Sequence, residues 1–440
     1  MLYGSVLPQL RQLHVPDERV KREAYGIPWP KELMTELRQK ETRQAPSHCH
    51  LEAGNKSQIG ITGMSCQLAG GMDLDAGNKS QIGITGMSCQ LAGGVDSPAI
   101  LWKSFCSQIE SFITSTPPQR WVKLCQDEGC LVFPGAFLMH LENTDSDNLD
   151  ADAQFQLLLS VMQTAMSDSG FPFQIEPSLV GTFTAVDSER SNNLADSHLS
   201  SKVASTLRLG EIHCNFDFKC ASGYLAMCGA MDHISNRTCQ CAVVGGVALN
   251  TNPEPLVAMH LHNLLSVNGS IRALDQLADG TCIGEGAAAV VLQHTNSPVS
   301  SYAAICGWAS NSNAERHTGA VNEQNIKQAA ISAISHAKLT VTEIGLCHLH
   351  ATGNPAADSL ELLAITDVLC QQRPLQSPLH LLVHKHLVGH TEPASGLVAV
   401  ITTVLAMNHR HIPANVSLTR PVQTIPQLQP VVRLCQAFLY

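Results

Sequence analysis

The run Asn215-Phe216-Asp217-Phe218-Lys219-Cys220-Ala221-Ser222-Gly223 places a thiol where an extended stretch gives way to an apolar helical pattern. The thiolate is the reactive form of cysteine, and the unpaired N–H groups at a helix N-terminus favour that anion, so the position predicts a lowered pKa at Cys220. Ala221, Ser222, Gly223 and Ala226 supply the small side chains that a sharp strand-to-helix turn and a close-approaching thioester need. Far downstream, Cys347-His348-Leu349-His350 and the stretch from His384 to His390 carry the imidazoles that acyl-thioester chemistry would use. Taken singly these residues have plainer readings: a core cysteine, a solvated Asp358 and Glu361 three apart on a helix, a surface Lys385. The histidine clusters also raise zinc ligation, and the reading adopted is no metal, because a compact metal site needs a satisfied surrounding shell that spacing alone does not supply.

Positioning such groups requires alternating strands and helices. Ser97 followed by Pro98 reads as a helix start, with Leu101, Trp102, Phe105 and Ile109 at helical spacing. Phe155, Leu158, Leu159, Met162, Ala165 and Met166 form one helical face, closed by Ser169-Gly170. Val180 to Val186, Cys239 to Leu249, Cys282 to Gln293 and Ile344 to Leu349 read as strands, and Glu323 to Ala337 as a helix. The alternation predicts α/β layers, and the pattern restarts near Ser301 as though two related halves were joined. Upstream, Ala53 to Gly71 recurs letter for letter as Ala76 to Gly94. One fold position cannot hold both copies, and only the second leads directly into a helix start, so the second is expected to be the native strand. The division expected is a leader over 1–52, with a surface helix at Lys31 to Arg43, an extra copy over 53–75, and halves over 76–300 and 301–440.

A chain of 440 residues, 44% hydrophobic and 15% charged, has the composition of a core-rich globular protein. Its apolar runs are too short and interrupted to span a bilayer, and the charged start does not read as a secretory signal. Sixteen cysteines scattered through core-like segments read as reduced residues. A net charge of −10 argues against nucleic acid as a partner. The expected compartment is the cytoplasm, or a plastid.

The stretch Gly83-Ile84-Thr85-Gly86-Met87-Ser88-Cys89 through Trp102 resembles the opening of a ketosynthase (beta-ketoacyl synthase) domain of the type I polyketide-synthase and fatty-acid-synthase family. Matching blocks follow in order: the Cys220 run, Val243-Val244-Gly245-Gly246-Val247, Leu265 to Gly269, Ala278-Asp279-Gly280 with Gly284-Glu285-Gly286, His350 to Pro355, and Lys385 to His390. The resemblance implies a thiolase-like fold, layered α-β-α-β-α with two pseudo-repeated halves, usually dimeric. It implies that Cys220 carries the acyl chain as a thioester, and that His350 and His390 assist decarboxylation of malonyl on an acyl carrier protein. It puts Lys385 in a catalytic position with Glu361 as its ion partner, makes Asp358 and Glu361 supporting carboxylates, and sets Thr352 and Asn354 against the pantetheine arm. No cofactor is expected to be resident, since phosphopantetheine arrives on the carrier. Two neutral imidazoles would serve the developing oxyanions without the cost of burying two imidazoliums.

The sequence departs from the family pattern where Asp217-Phe218-Lys219-Cys220-Ala221-Ser222-Gly223 replaces Asp-Thr-Ala-Cys-Ser-Ser-Ser and where Leu387 replaces an asparagine. The Gly-rich block Gly-Phe-Gly-Gly-Thr-Asn-Ala-His is also missing from these residues, and losing one oxyanion donor costs about 3 kcal/mol. The alternatives are therefore an impaired, acyl-binding or scaffold form of the same fold, or an acyltransferase or thioesterase using the same cysteine.

Overall fold

The structure is a computed structural model that describes residues 49–50, 58–61, 66–69, 81–114, 133–138, 149–170, 176–190, 198–252, 254–295, 301–312, 322–422 and 431–434. The helix expected at Lys31 to Arg43 lies outside them.

Local signals set most element boundaries. Ser97 accepts from the Ile100 N–H and Pro98 opens the Pro98–Cys106 helix, as the N-cap pattern requires. Asn322 caps Glu323–Ala337, which ends where Lys338 turns left-handed. Strands form at Val180–Ala185, Cys241–Ala248, Gly286–Thr295 and Ile344–His348, each within two residues of its expected start except the third. There Glu285 interrupts the run, and a two-residue strand, Ile283–Gly284, splits off to pair with Gly135–Ala136.

Among the described residues, eleven strands are joined in one hydrogen-bonded sheet. On one side run His213–Phe216, Val180–Ala185, Cys241–Ala248, Gly286–Thr295 and Gln81–Leu91; on the other run Ala303–Trp308, Cys66–Ala69, Gln58–Ile61, Ile344–His348, Leu379–Leu382 and Val432–Leu434. Gln81–Leu91 and Ala303–Trp308 pair at the join. The two identical segments occupy different places: the second copy is one continuous strand, Gln81–Leu91, whereas the first forms an antiparallel pair, Gln58–Ile61 with Cys66–Ala69. That pair sits between Ile344–His348 and Ala303–Trp308.

Side-chain alternation along the strands assigns the layers. Cys241, Val243 and Val247 join the cluster under the Leu149–Asp168 and Leu199–Leu207 helices, whereas Ala242 and Val244 face the central cluster. In the other half, Cys347, Leu379 and Leu381 pack with the Glu323–Ala337 and Pro355–Leu369 helices, whereas Leu346 and Leu382 face the centre. The centre holds Ser222–Ser235 and Ser395–Asn408, which touch one another and are buried as a middle layer must be. The layers therefore run helix, sheet, helix, sheet, helix. Among the described residues no helix is long and apolar enough to cross a membrane.

Gly389, directly before His390, has φ +73° and ψ −179°, a conformation open essentially to glycine, and an added Cβ would lie 2.5 Å from the Ile283 carbonyl oxygen. Gly389→Ala is expected to lower unfolding free energy by about 1–3 kcal/mol in urea titration. An unchanged midpoint would show that this turn is not constrained.

Candidate active site

The nucleophile turn is built between the His213–Phe216 strand and the Ser222–Ser235 helix, with Lys219–Ala221 as a single 3-10 turn. Ser222 Oγ accepts from the Phe218 N–H at 2.7 Å and tightens the turn. An added Cβ at Gly223 would lie 2.7 Å from the Pro393 carbonyl oxygen, so the absence of a side chain lets the two central helices close at this point. Lys219 takes φ +55°, a left-handed conformation unusual for a side-chain-bearing residue, while its Nζ donates to Asp187 at 3.0 Å.

Cys220 stands at the helix start, yet its thiol is pushed up to about 12 instead of down. Enclosure by protein is the main cause and Glu392 adds to it; Lys385, the residue's own backbone N–H and Arg190 pull the other way. The expected lowering fails because desolvation of the sulfur outweighs the helix terminus.

One ligand-capable atom from each of Cys220, His350 and His390 lies within 4.8 Å of the other two. His350 follows the Ile344–His348 strand and His390 follows the four-residue Lys385–Val388 helix, and their rings meet edge to face with centroids 5.1 Å apart. Both imidazoles are held well below the ordinary histidine range, by burial first and by Lys385 second. Lys385 is 2% exposed. Its ammonium donates to the His350 carbonyl and lies 3.4 Å from His350 Nδ1. An ammonium only donates, so Nδ1 is the acceptor and the His350 proton belongs on Nε2. The donor types would also suit zinc, but the ammonium places a fixed positive charge against the same imidazole.

Glu361, expected as the ion partner of Lys385, is also engaged by backbone N–H groups. Its two oxygens accept from the His350 and Ala351 N–H groups at 2.7 and 2.8 Å, gripping a turn in which Ala351 has φ +29°. It still acts on Lys385 through space: burial holds the ammonium below its ordinary value, and Glu361 is the foremost opposing charge. Asp358 accepts from Thr352 and Gly353 at 2.8 and 2.9 Å, and burial pushes its carboxyl up to about 6. Asn354 caps the Pro355–Leu369 helix through Ala356 and Ala357, a positioning task that the resemblance did not suggest. Leu387 is fully buried in the central apolar cluster.

Sequence reasoning missed a second set of residues. Arg190 is buried between Asp187 and Glu392, and Glu392 Oε2 lies 3.8 Å from His390 Nε2. Behind the site, His348 bridges Thr403 and His384 at 2.8 Å each. Glu392 sits two residues beyond His390 and was within reach of motif reading; Arg190 carried no local signal.

Family models describing the N-terminal and C-terminal domains of beta-ketoacyl synthase match residues 79–297 and 302–419. A phenolphthiocerol/phthiocerol polyketide synthase chain of Mycobacterium tuberculosis is 29% identical over 395 residues, 81% of this chain and 20% of that protein. The phthioceranic/hydroxyphthioceranic acid synthase of Mycobacterium bovis is 28% identical, over 82% of this chain and 18% of that protein. The chain thus spans about a fifth of the length of these curated relatives. Among solved structures, the ketosynthase from module 6 of the Bacillus subtilis bacillaene synthase aligns with TM-score 0.68 and 22% identity, over 78% of this chain and 64% of that one. This likeness shows the thiolase-like fold that the five layers describe. With both domain models matched in order across most of its length, the chain belongs to the beta-ketoacyl synthase family.

Proposed function

We propose that this chain catalyses decarboxylative Claisen condensation between an acyl group on Cys220 and a malonyl group on an acyl carrier protein. The observation that carries this reading is the meeting of Cys220, His350 and His390 within 4.8 Å, from three segments far apart in the sequence. In the loading step the sulfur attacks the incoming thioester carbonyl and the carrier thiol leaves. A thiol pushed up to about 12 is protonated at rest, so its proton must pass to a neighbouring neutral imidazole as the bond forms. That proton is then available to the departing carrier sulfur.

In the second step the malonyl carboxylate leaves as carbon dioxide, and its bonding electrons become an enolate. Nε2–H of His350 and an N–H of His390 donate to the enolate oxygen. The enolate carbon then attacks the acyl carbonyl on Cys220, the carbon–sulfur bond breaks, and a 3-oxoacyl thioester departs on the carrier. Lys385 fixes the His350 tautomer and, by its charge, keeps both rings neutral. Asp358 and Glu361 hold the turn that presents His350. Thr352 and Asn354 are assigned to the pantetheine arm, which arrives as part of the substrate.

The proposed assembly is a homodimer. Among the described residues His213–Phe216 is the last strand on its side of the sheet, and Phe218 beside it is 59% exposed, an apolar contact open to a second copy. The halves over 76–300 and 301–440 and a cytoplasmic location complete the reading.

Cys220→Ala is expected to abolish uptake of a thiol-directed acyl mimic, whereas His390→Ala should slow loading less than it slows decarboxylation, with carbon dioxide release from malonyl carrier protein falling about a hundredfold or more. Equal residual activity in both variants at both steps would contradict the assignment. Label uptake by the unaltered protein with no carbon dioxide release would favour an acyl-binding role instead.

Lys385 must be charged to donate to His350, and burial makes it release its proton below the ordinary lysine value of 10.5. Condensation should therefore decline on the alkaline side earlier than a surface lysine would dictate, and Lys385→Arg should move that decline upward. A pH–rate profile that Lys385→Arg leaves unmoved would exclude the ammonium from this role.

A further inference from the structure

This inference rests on the condensing role proposed for Cys220 and His390. The segments that carry them meet at one short stretch, Asp187 to Arg190. Lys219, beside the nucleophile, reaches Asp187 at 3.0 Å and Glu189 at 2.5 Å. Asp187, 3% exposed, binds Arg190 Nε at 3.1 Å with its other oxygen. Arg190, 4% exposed, turns Nη1 to Asn250 and Nη2 to Glu392 Oε1 at 2.9 Å. The remaining oxygen of Glu392 stops 3.8 Å from His390 Nε2, too far for a hydrogen bond. A line of alternating charges thus joins the nucleophile turn to the second histidine, most of it out of water.

We propose that Arg190 is a positioning residue for the condensation, holding Glu392 in an ion pair so that its carboxylate neither hydrogen-bonds His390 nor acts uncompensated on Cys220. Without the guanidinium, a buried carboxylate would remain between the two reacting groups with no partner. It would draw a proton onto His390, whose neutral N–H is needed at the enolate oxygen. It would also oppose formation of the thiolate. The charged and titratable groups facing Cys220 and His390 are Glu392 and Arg190 from this network, Lys385 and His384 from the turn before His390, and His350 from across the site. Burial already disfavours charge on both groups; Glu392 raises the thiol further, and Arg190 counteracts this while also opposing a proton on His390.

The test follows alkylation of Cys220 by iodoacetamide across pH, read by mass spectrometry on its own peptide so that the other cysteines do not interfere. Arg190→Met should move the midpoint upward by about one pH unit, slowing alkylation about tenfold below it. Glu392→Gln should move it downward, and the double variant should return to within about twofold of the parent rate, because both charges are gone. Arg190→Lys should preserve most of the parent profile. In parallel, Arg190→Met should lower kcat for carbon dioxide release from malonyl carrier protein with little change in KM. Shifts of Arg190→Met and Glu392→Gln in the same direction, or a double variant no closer to the parent than Arg190→Met, would overturn the proposal. So would loss of turnover in Arg190→Met with the parent alkylation profile, which would make Arg190 a prop for the fold alone. Should Arg190→Met fail to fold, Glu392→Gln and Arg190→Lys carry the test, and an unmoved midpoint in Glu392→Gln overturns it. The expected midpoint shifts without any carbon dioxide release by the parent would leave the charge coupling intact and instead remove the condensing role.

Discussion

A lysine ammonium buried among imidazoles is the constraint on which the site depends. Lys385 is withdrawn from water with its charge, which costs several kcal/mol unless the surroundings answer it. Two answers are built in. The His350 carbonyl and Nδ1 take its N–H groups, and the charges of Glu361, Asp358 and Glu392 oppose its deprotonation. In return the ammonium adds to burial in driving protons away from His350 and His390. The turn between Leu379–Leu382 and Ser395–Asn408 exists to hold that arrangement, with Gly389 providing the backbone geometry that no other residue adopts easily.

Desolvation works in opposite senses on the three groups that meet. It keeps the imidazoles neutral, which suits donors to an enolate, and it keeps the thiol protonated, which does not suit a nucleophile. The neutral imidazole of His390 resolves the conflict, because it can accept the proton that the desolvated thiol will not release to water. Burial therefore makes the cysteine unreactive in isolation and dependent on its neighbours, a safeguard for one thiol among sixteen.

Legibility in the sequence tracked how local each signal was. Ser97-Pro98 and Glu323–Ala337 were readable because caps and apolar spacing lie within a few residues. The Cys220, His350 and His390 segments were readable because each carries its own motif, so the resemblance could align them. The direction of the Cys220 shift was not, since burial and Glu392 come from elsewhere in the fold. The second task of Glu361, accepting from two N–H groups of a strained turn, had no signal in the sequence. Arg190 and Glu392, 202 positions apart, share no pattern that a linear reading could join. The identical segments 53–71 and 76–94 make the same point: one sequence forms a continuous strand in one copy and a two-strand pair in the other, according to its neighbours.

Side-chain nitrogen NMR of His350 and His390, titrated through the ordinary histidine pKa of 6.5, tests the central claim most directly. The account predicts that both rings stay neutral through that range, with the His350 proton on Nε2 because Lys385 occupies Nδ1. An imidazolium on either ring near neutral pH, or a His350 proton on Nδ1, would contradict it.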